Sequence, residues 1–306
     1  MKFVIVGLLG ALAALPSGAG FAQTLQATAD GSQVVVDVDG HLFACYKFAA
    51  DQKYPYFYPL NGPASRTSVT TETSDPYPHH HSLFFGCDRV LGAGYWGNYW
   101  QESNETGQIL SQGPKIEAAS GESVMFTDEC LWKQPDREPI LRDTRRIIIT
   151  APRTDLRLID FEITLTPLSD VQIQQSNHSL FAGRMAPALS VASGGTLINA
   201  EGLRNESGTF GAASPWCAYY GTRDGITEGM TIFQHPENRW YPCKWFTRDY
   251  GFFSPAPMYW LEGGKLDLPK GEPLTLRYRV AVYAGTPEGA GIAQLFEEYR
   301  AAAAEK

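Results

Sequence analysis

Gln33-Val34-Val35-Val36-Asp37-Val38-Asp39-Gly40, running on into His41-Leu42-Phe43-Ala44-Cys45-Tyr46-Lys47-Phe48, is the stretch that decides the fold. Val34, Val36 and Val38 recur with period two, so all three point to one face of an extended strand. Asp39-Gly40 supplies two residues that tolerate positive φ, the signal of a tight hairpin turn. Leu42, Ala44, Tyr46 and Phe48 then alternate again on the return strand. The same period returns along the chain. Arg145 to Thr150 precedes Leu156 to Leu165, where Ile159, Phe161, Ile163 and Leu165 share one face around a turn in 151–155. Val171 to Ser176, Gly229 to Phe233 and Pro273 to Tyr283 continue it. Helical spacing is confined to the end, where Ile292, Leu295, Phe296 and Tyr299 form one apolar stripe of a short C-terminal helix. Thirty glycines and twenty prolines suit the many turns that such a chain needs.

No linker, low-complexity tract or internal repeat divides residues 23–306, so a single all-β domain is expected: a large antiparallel β-sandwich. Residues 1–22 read as a secretory signal peptide. Lys2 is its basic start, Phe3 to Leu15 its apolar stretch and Gly20-Phe21-Ala22 its small-residue cleavage site. The apolar run is short for a membrane span and no later stretch approaches spanning length. A secreted or periplasmic bacterial protein is therefore expected. A net charge of −8 argues against nucleic acid or an anionic membrane as partner. Cys45, Cys87, Cys130, Cys217 and Cys243 are dispersed without metal-ligand spacing and read as buried structural residues.

Three of the six histidines stand in a row, His79-His80-His81, just before the apolar Leu83-Phe84-Phe85. If the triplet were strand, His79 and His81 would share a face and His80 would take the other. Imidazoles titrate near neutrality and carry protons, so the cluster is a candidate catalytic site. Histidines grouped for structural hydrogen bonding are the bland alternative. Aromatic residues crowd three Pro/Gly-rich segments, 53–63, 95–102 and 240–255. Rings that stack on sugar C–H faces, interleaved with amides, carboxylates and Arg that bind hydroxyls, are what a saccharide cleft requires. Filling a large β core is the competing use of the same rings.

The candidates follow from side-chain chemistry. His80 or His81 is the expected acid/base, with Glu102 or Asp249 as partner carboxylate and Tyr250 beside them. Arg184 and Arg248 are expected to orient anionic or hydroxyl groups, and Trp100, Trp245 and Tyr250 to form the stacking platform. His79, His178, Glu201 and His235 are further binding candidates, and Asp75 is one more available acid. A structural salt-bridged corner at Arg248-Asp249-Tyr250 is an equal reading. No metal ligand set is assigned, because no HExxH-like spacing is present; a divalent metal held by His178 or His235 with the triplet is the lesser alternative. No GxSxG elbow, P-loop or GxGxxG set between a strand and a helix is present in the sequence.

Five motifs in order resemble one bacterial family. They are Tyr56-Phe57-Tyr58-Pro59-Leu60 with Gly62-Pro63; Pro78-His79-His80 with Ser82-Leu83 and Phe85; Asn199-Ala200-Glu201-Gly202; His235-Pro236-Glu237-Asn238; and Arg248-Asp249-Tyr250-Gly251-Phe252. That family carries the label "methane oxygenase PmoA", and the resemblance spans nearly all of residues 23–306. The subunit behind the label is a polytopic membrane protein, so the resemblance implies no methane chemistry. Relatives accompany sugar oxidoreductases and other carbohydrate-degrading proteins, which implies a role in saccharide breakdown. Many relatives carry Arg or Gln where this chain has His81. The chain length suits the two-sheet supersandwich of sugar mutarotases and several polysaccharide lyases. The resulting expectation is an exported carbohydrate-active enzyme, a glycosidase, lyase or isomerase, acting on a saccharide substrate. A non-catalytic saccharide-binding protein and a metal-dependent oxygenase are the alternatives.

Overall fold

A computed structural model describes residues 23–304; the signal-peptide reading of residues 1–22 lies outside the described residues. Two antiparallel sheets, one of twelve strands and one of nine, face each other across an apolar core. The fold is the all-β sandwich that the period-two pattern implied.

The opening hairpin forms as Gln33–Val38 and His41–Lys47, joined where Asp39 and Gly40 both take positive φ. Pairing shifts between Val36 and Asp37, so Ala44 faces Val36 while Leu42 faces Asp37. This bulge breaks the expected alternation of the return strand: Leu42 is 37% exposed, whereas Phe43, Ala44, Cys45 and Tyr46 are all buried. Leu141–Arg153 and Leu156–Pro167 make the long central pair of the nine-stranded sheet, with Ile159, Phe161, Ile163 and Leu165 buried. Burying each such side chain contributes about 1.5–3 kcal/mol.

Between the sheets lies a buried polar network. Arg145 donates to both carboxylate oxygens of Asp143, at 2.8 and 3.2 Å, and to the Tyr46 hydroxyl at 3.2 Å. Tyr46 in turn donates to Asp128 at 2.8 Å. Each member needs the others, because an unpaired charge at this depth is far costlier than a paired one. The expected C-terminal helix spans Ile292–Ala304 and packs Ile292, Leu295, Phe296 and Tyr299 against Phe233, Trp216 and Tyr283. All five cysteines are buried and unpaired.

Candidate active site

Strand Leu83–Gly92 is the rail on which the site is built. Strand Ser179–Arg184 pairs with it in the register Ser179 to Cys87 and Gly183 to Leu83. That register brings His178 alongside Asp88, whose amide donates to the His178 carbonyl at 3.1 Å. Strand Phe252–Pro255 continues the sheet beyond Arg184, followed by Trp245–Thr247. Segments roughly a hundred residues apart thus converge at one end of the twelve-stranded sheet.

His178 is the group best set for proton transfer. Its Nδ1 lies 2.9 Å from Asp88 Oδ2, and a carboxylate oxygen only accepts, so Nδ1 is the donor and Nε2 is the ring nitrogen left over. Trp100 stacks under the imidazole, centroids 5.8 Å apart, and Ser176 Oγ accepts the His178 amide at 3.0 Å. The imidazole stays one-quarter exposed while Asp88 is buried. An orienting carboxylate behind a partly accessible imidazole is the geometry of a positioned general base.

His79 and His80 lie beside it, their rings 4.4 Å apart and His79 6.4 Å from His178. Desolvation, reinforced by neighbouring positive charge, pushes His79 down to about 4 and His80 down to about 2. Both are neutral at pH 7. His79 Nε2 and His80 Nδ1 are buried without a hydrogen-bond partner, two polar atoms that an occupant of the site can satisfy. The cavity here holds about 280 Å³ and is walled by Tyr77, Phe246, Arg248, Tyr250 and Phe252. Arg184 is buried beneath Tyr250, 4.3 Å from the ring centroid, and donates to Ser74 Oγ and the Asp75 carbonyl. A second cavity of about 520 Å³ shares Gln101, Asn177 and His178 with the first and adds Glu102.

The structure gathers His79, His80, His178, Arg248 and Tyr250 in one cavity and Glu102 in the adjoining one. Other expected members stand elsewhere. The triplet is loop rather than strand, so the alternation expected of it does not apply. Ser82, at φ 51, bends the chain just after it. His79 and His80 face the cavity side together, whereas His81 turns away, stacks on Tyr56 at 4.8 Å and places Nδ1 2.7 Å from the Glu72 carbonyl. Asp249 is tied to the short helix Asn205–Thr209: its Oδ1 accepts the Glu206 amide at 2.8 Å, and its own amide donates to Glu206 Oε2. Arg248 bonds to Glu206 Oε1 at 3.2 Å, so Arg248 and Asp249 are both tied to Glu206. Trp245 is fully buried, bonded to the Ser214 carbonyl, and cannot serve as an open platform. Trp100 is likewise buried and acts as the floor under His178. His235 packs under the C-terminal helix, 5.1 Å from the Tyr299 ring, because it follows a strand of the other sheet. Glu201 is exposed just past strand Thr196–Asn199 of that same sheet.

Sequence reasoning missed Asp88, Tyr77 and Asn177. A carboxylate inside the apolar run Leu83-Phe84-Phe85-Gly86-Cys87-Asp88 was the available signal, because a buried Asp demands a partner. Backbone strain marks the same place. Arg89 (φ 51) and Leu180 (φ 67), neighbours of Asp88 and His178, sit in the left-handed region that bulky residues avoid. Among the described residues, no three His, Cys, Asp or Glu side chains are grouped to hold a metal ion.

A model described as "Family of unknown function (DUF6807)" matches residues 33–297. The chain belongs to that family. No curated protein matches it. Among solved structures, the DUF6807 chain is similar to a putative aldose 1-epimerase from Escherichia coli K12, with 13% identity, a TM-score of 0.32, and coverage of 86% of this chain and 99% of that one. A galactose mutarotase related enzyme from Lactobacillus acidophilus is matched at 8% identity and a TM-score of 0.34, covering 86% and 97%. A polysaccharide lyase is matched at 13% identity and a TM-score of 0.33, covering 88% and 33%. Among the described residues no helix is long and apolar enough to cross a membrane.

Proposed function

We propose that the protein is a carbohydrate-active enzyme in which His178 moves a proton to and from a glycoside or modified sugar. The observation that carries this is the 2.9 Å bond from His178 Nδ1 to buried Asp88 on the wall of an aromatic-lined cavity. Asp88 holds the imidazole in one tautomer and stabilises the imidazolium that forms when Nε2 accepts a proton. Tyr77 and Tyr250 offer ring surface to the sugar, and Arg248 a cation. Neutral His79 and His80 supply hydrogen bonds rather than charge. Glu102, in the adjoining cavity, is the carboxylate available as the opposite acid or base.

Asp88 is committed to His178 and Asp249 to Glu206. This favours imidazole-driven proton abstraction, as in isomerisation or elimination, over hydrolysis by paired carboxylates. The test is a glycan-library screen read by mass spectrometry on wild type, His178→Ala and Asp88→Asn. Both variants are expected to lower kcat/KM by roughly 100-fold or more, with thermal unfolding showing a retained fold. Undiminished turnover in His178→Ala sinks the reading. Sugar binding with no turnover by wild type replaces it with a saccharide-binding protein.

A further inference from the structure

The aromatic residues that stand most open share one feature. Trp96, Tyr77 and Phe210 are 47%, 41% and 38% exposed, and each lines a cavity or packs on a ring that does. Trp96 lines the 520 Å³ cavity and Tyr77 the 280 Å³ cavity, and the two cavities meet at His178. From Phe246, in the wall of the smaller cavity, Phe210 is 5.4 Å away between centroids. Trp260 is 5.7 Å beyond Phe210 and lines a third cavity of about 840 Å³ together with Trp240.

Cations interleave these rings. Arg248 sits 4.0 Å from the Phe246 centroid and 4.7 Å from that of Phe210, Lys244 5.9 Å from Trp260, and Arg239 5.5 Å from Trp240. Rings alternating with hydrogen-bond donors match a ligand whose apolar faces alternate with hydroxyls. The His178–Asp88 pair lines the 520 Å³ cavity, and His178 also lines the 280 Å³ one, so the pair stands where the two join.

We infer that the substrate is a saccharide chain of several units. It is laid from Trp96 past His178 to Phe210 and on to the cavity of Trp260 and Trp240, so that proton transfer acts on an internal unit. This rests on the proton-transfer reading above for the role of His178 but not for the path of the chain. Phe210 and Trp96 are then binding residues distant from the reacting atoms. Free monosaccharide would occupy only the central cavity and leave both open rings uncovered.

Affinity electrophoresis of the full chain in native gels containing xylan, laminarin, mixed-linkage β-glucan or pectin tests this, with competition by the corresponding monosaccharide and hexasaccharide. At least one polysaccharide is expected to retard the wild type, and the hexasaccharide to compete at a concentration at least about tenfold lower than the monosaccharide. Phe210→Ala and Trp96→Ala, both at exposed positions, are each expected to weaken retention by up to about tenfold with unchanged thermal unfolding. No retardation in any gel, equal competition by monosaccharide and hexasaccharide, or unaltered retention of both ring variants overturns the chain path. Loss of turnover in His178→Ala without chain-length dependence would remove the path and leave the proton-transfer reading standing. Full turnover in His178→Ala with weakened Phe210→Ala retention would do the reverse.

Discussion

Lowering the pH from 7 to 5 is expected to destabilise the protein through His79 and His80. In the unfolded chain each imidazole titrates near its ordinary value, about 6.5. In the folded protein burial pushes His79 down to about 4 and His80 down to about 2. At pH 5 the unfolded chain therefore binds both protons and the folded protein binds almost neither. The unfolded state holds more protons, so stability rises with pH in this range. The contribution is complete above about 6.5, falls as the pH drops, and stops falling only below each folded value. From 6.5 down to 5 a fully depressed imidazole costs about 2 kcal/mol, at 1.36 kcal/mol for each pH unit. His79, only partly buried, contributes less, and the pair together about 3 kcal/mol. Urea unfolding followed by tryptophan fluorescence at pH 7 and pH 5 measures this directly. His80→Gln removes one titrating ring, so its loss of stability between the two pH values is expected to be smaller than that of wild type by about 2 kcal/mol. Parallel stability profiles for wild type and His80→Gln would refute the burial of a neutral His80.

Two further substitutions probe the frame around the site. Asp143→Asn leaves the buried Arg145 guanidinium without its charged partner and is expected to cost about 3–5 kcal/mol in urea unfolding. Asp249→Asn disturbs the bond to the Glu206 amide; a loss of about 1 kcal/mol with unchanged kcat is expected, whereas abolished turnover with an intact melting profile would return Asp249 to the chemistry.

The strand-rich architecture was legible because its signal is local. Val34, Val36 and Val38 bury one face whatever they meet, and the stripe Ile292, Leu295, Phe296 and Tyr299 is helical by spacing alone. The bulge that exposes Leu42 was not legible, since it arises in the pairing of two strands. The histidine cluster was visible as composition, but its roles were not. Three adjacent imidazoles divide into a neutral pair, His80 buried and His79 half-buried beside His178, and one ring turned toward Tyr56, through a backbone bend at Ser82. Glu201 and His235 looked equivalent to His178 as polar loop residues. They fall away because their strands belong to the opposite sheet.

What the sequence by itself determined was the period of its side chains, and with it a β-sandwich closed by a terminal helix. Periodicity is written within a few residues and needs no distant partner. Only the tertiary structure decided that Asp88 meets His178, ninety positions away, because that contact follows from the register of Leu83–Gly92 against Ser179–Arg184. Strand register is set by which faces bury together across the whole sheet, and a one-residue slip would carry every one of those side chains to the opposite face.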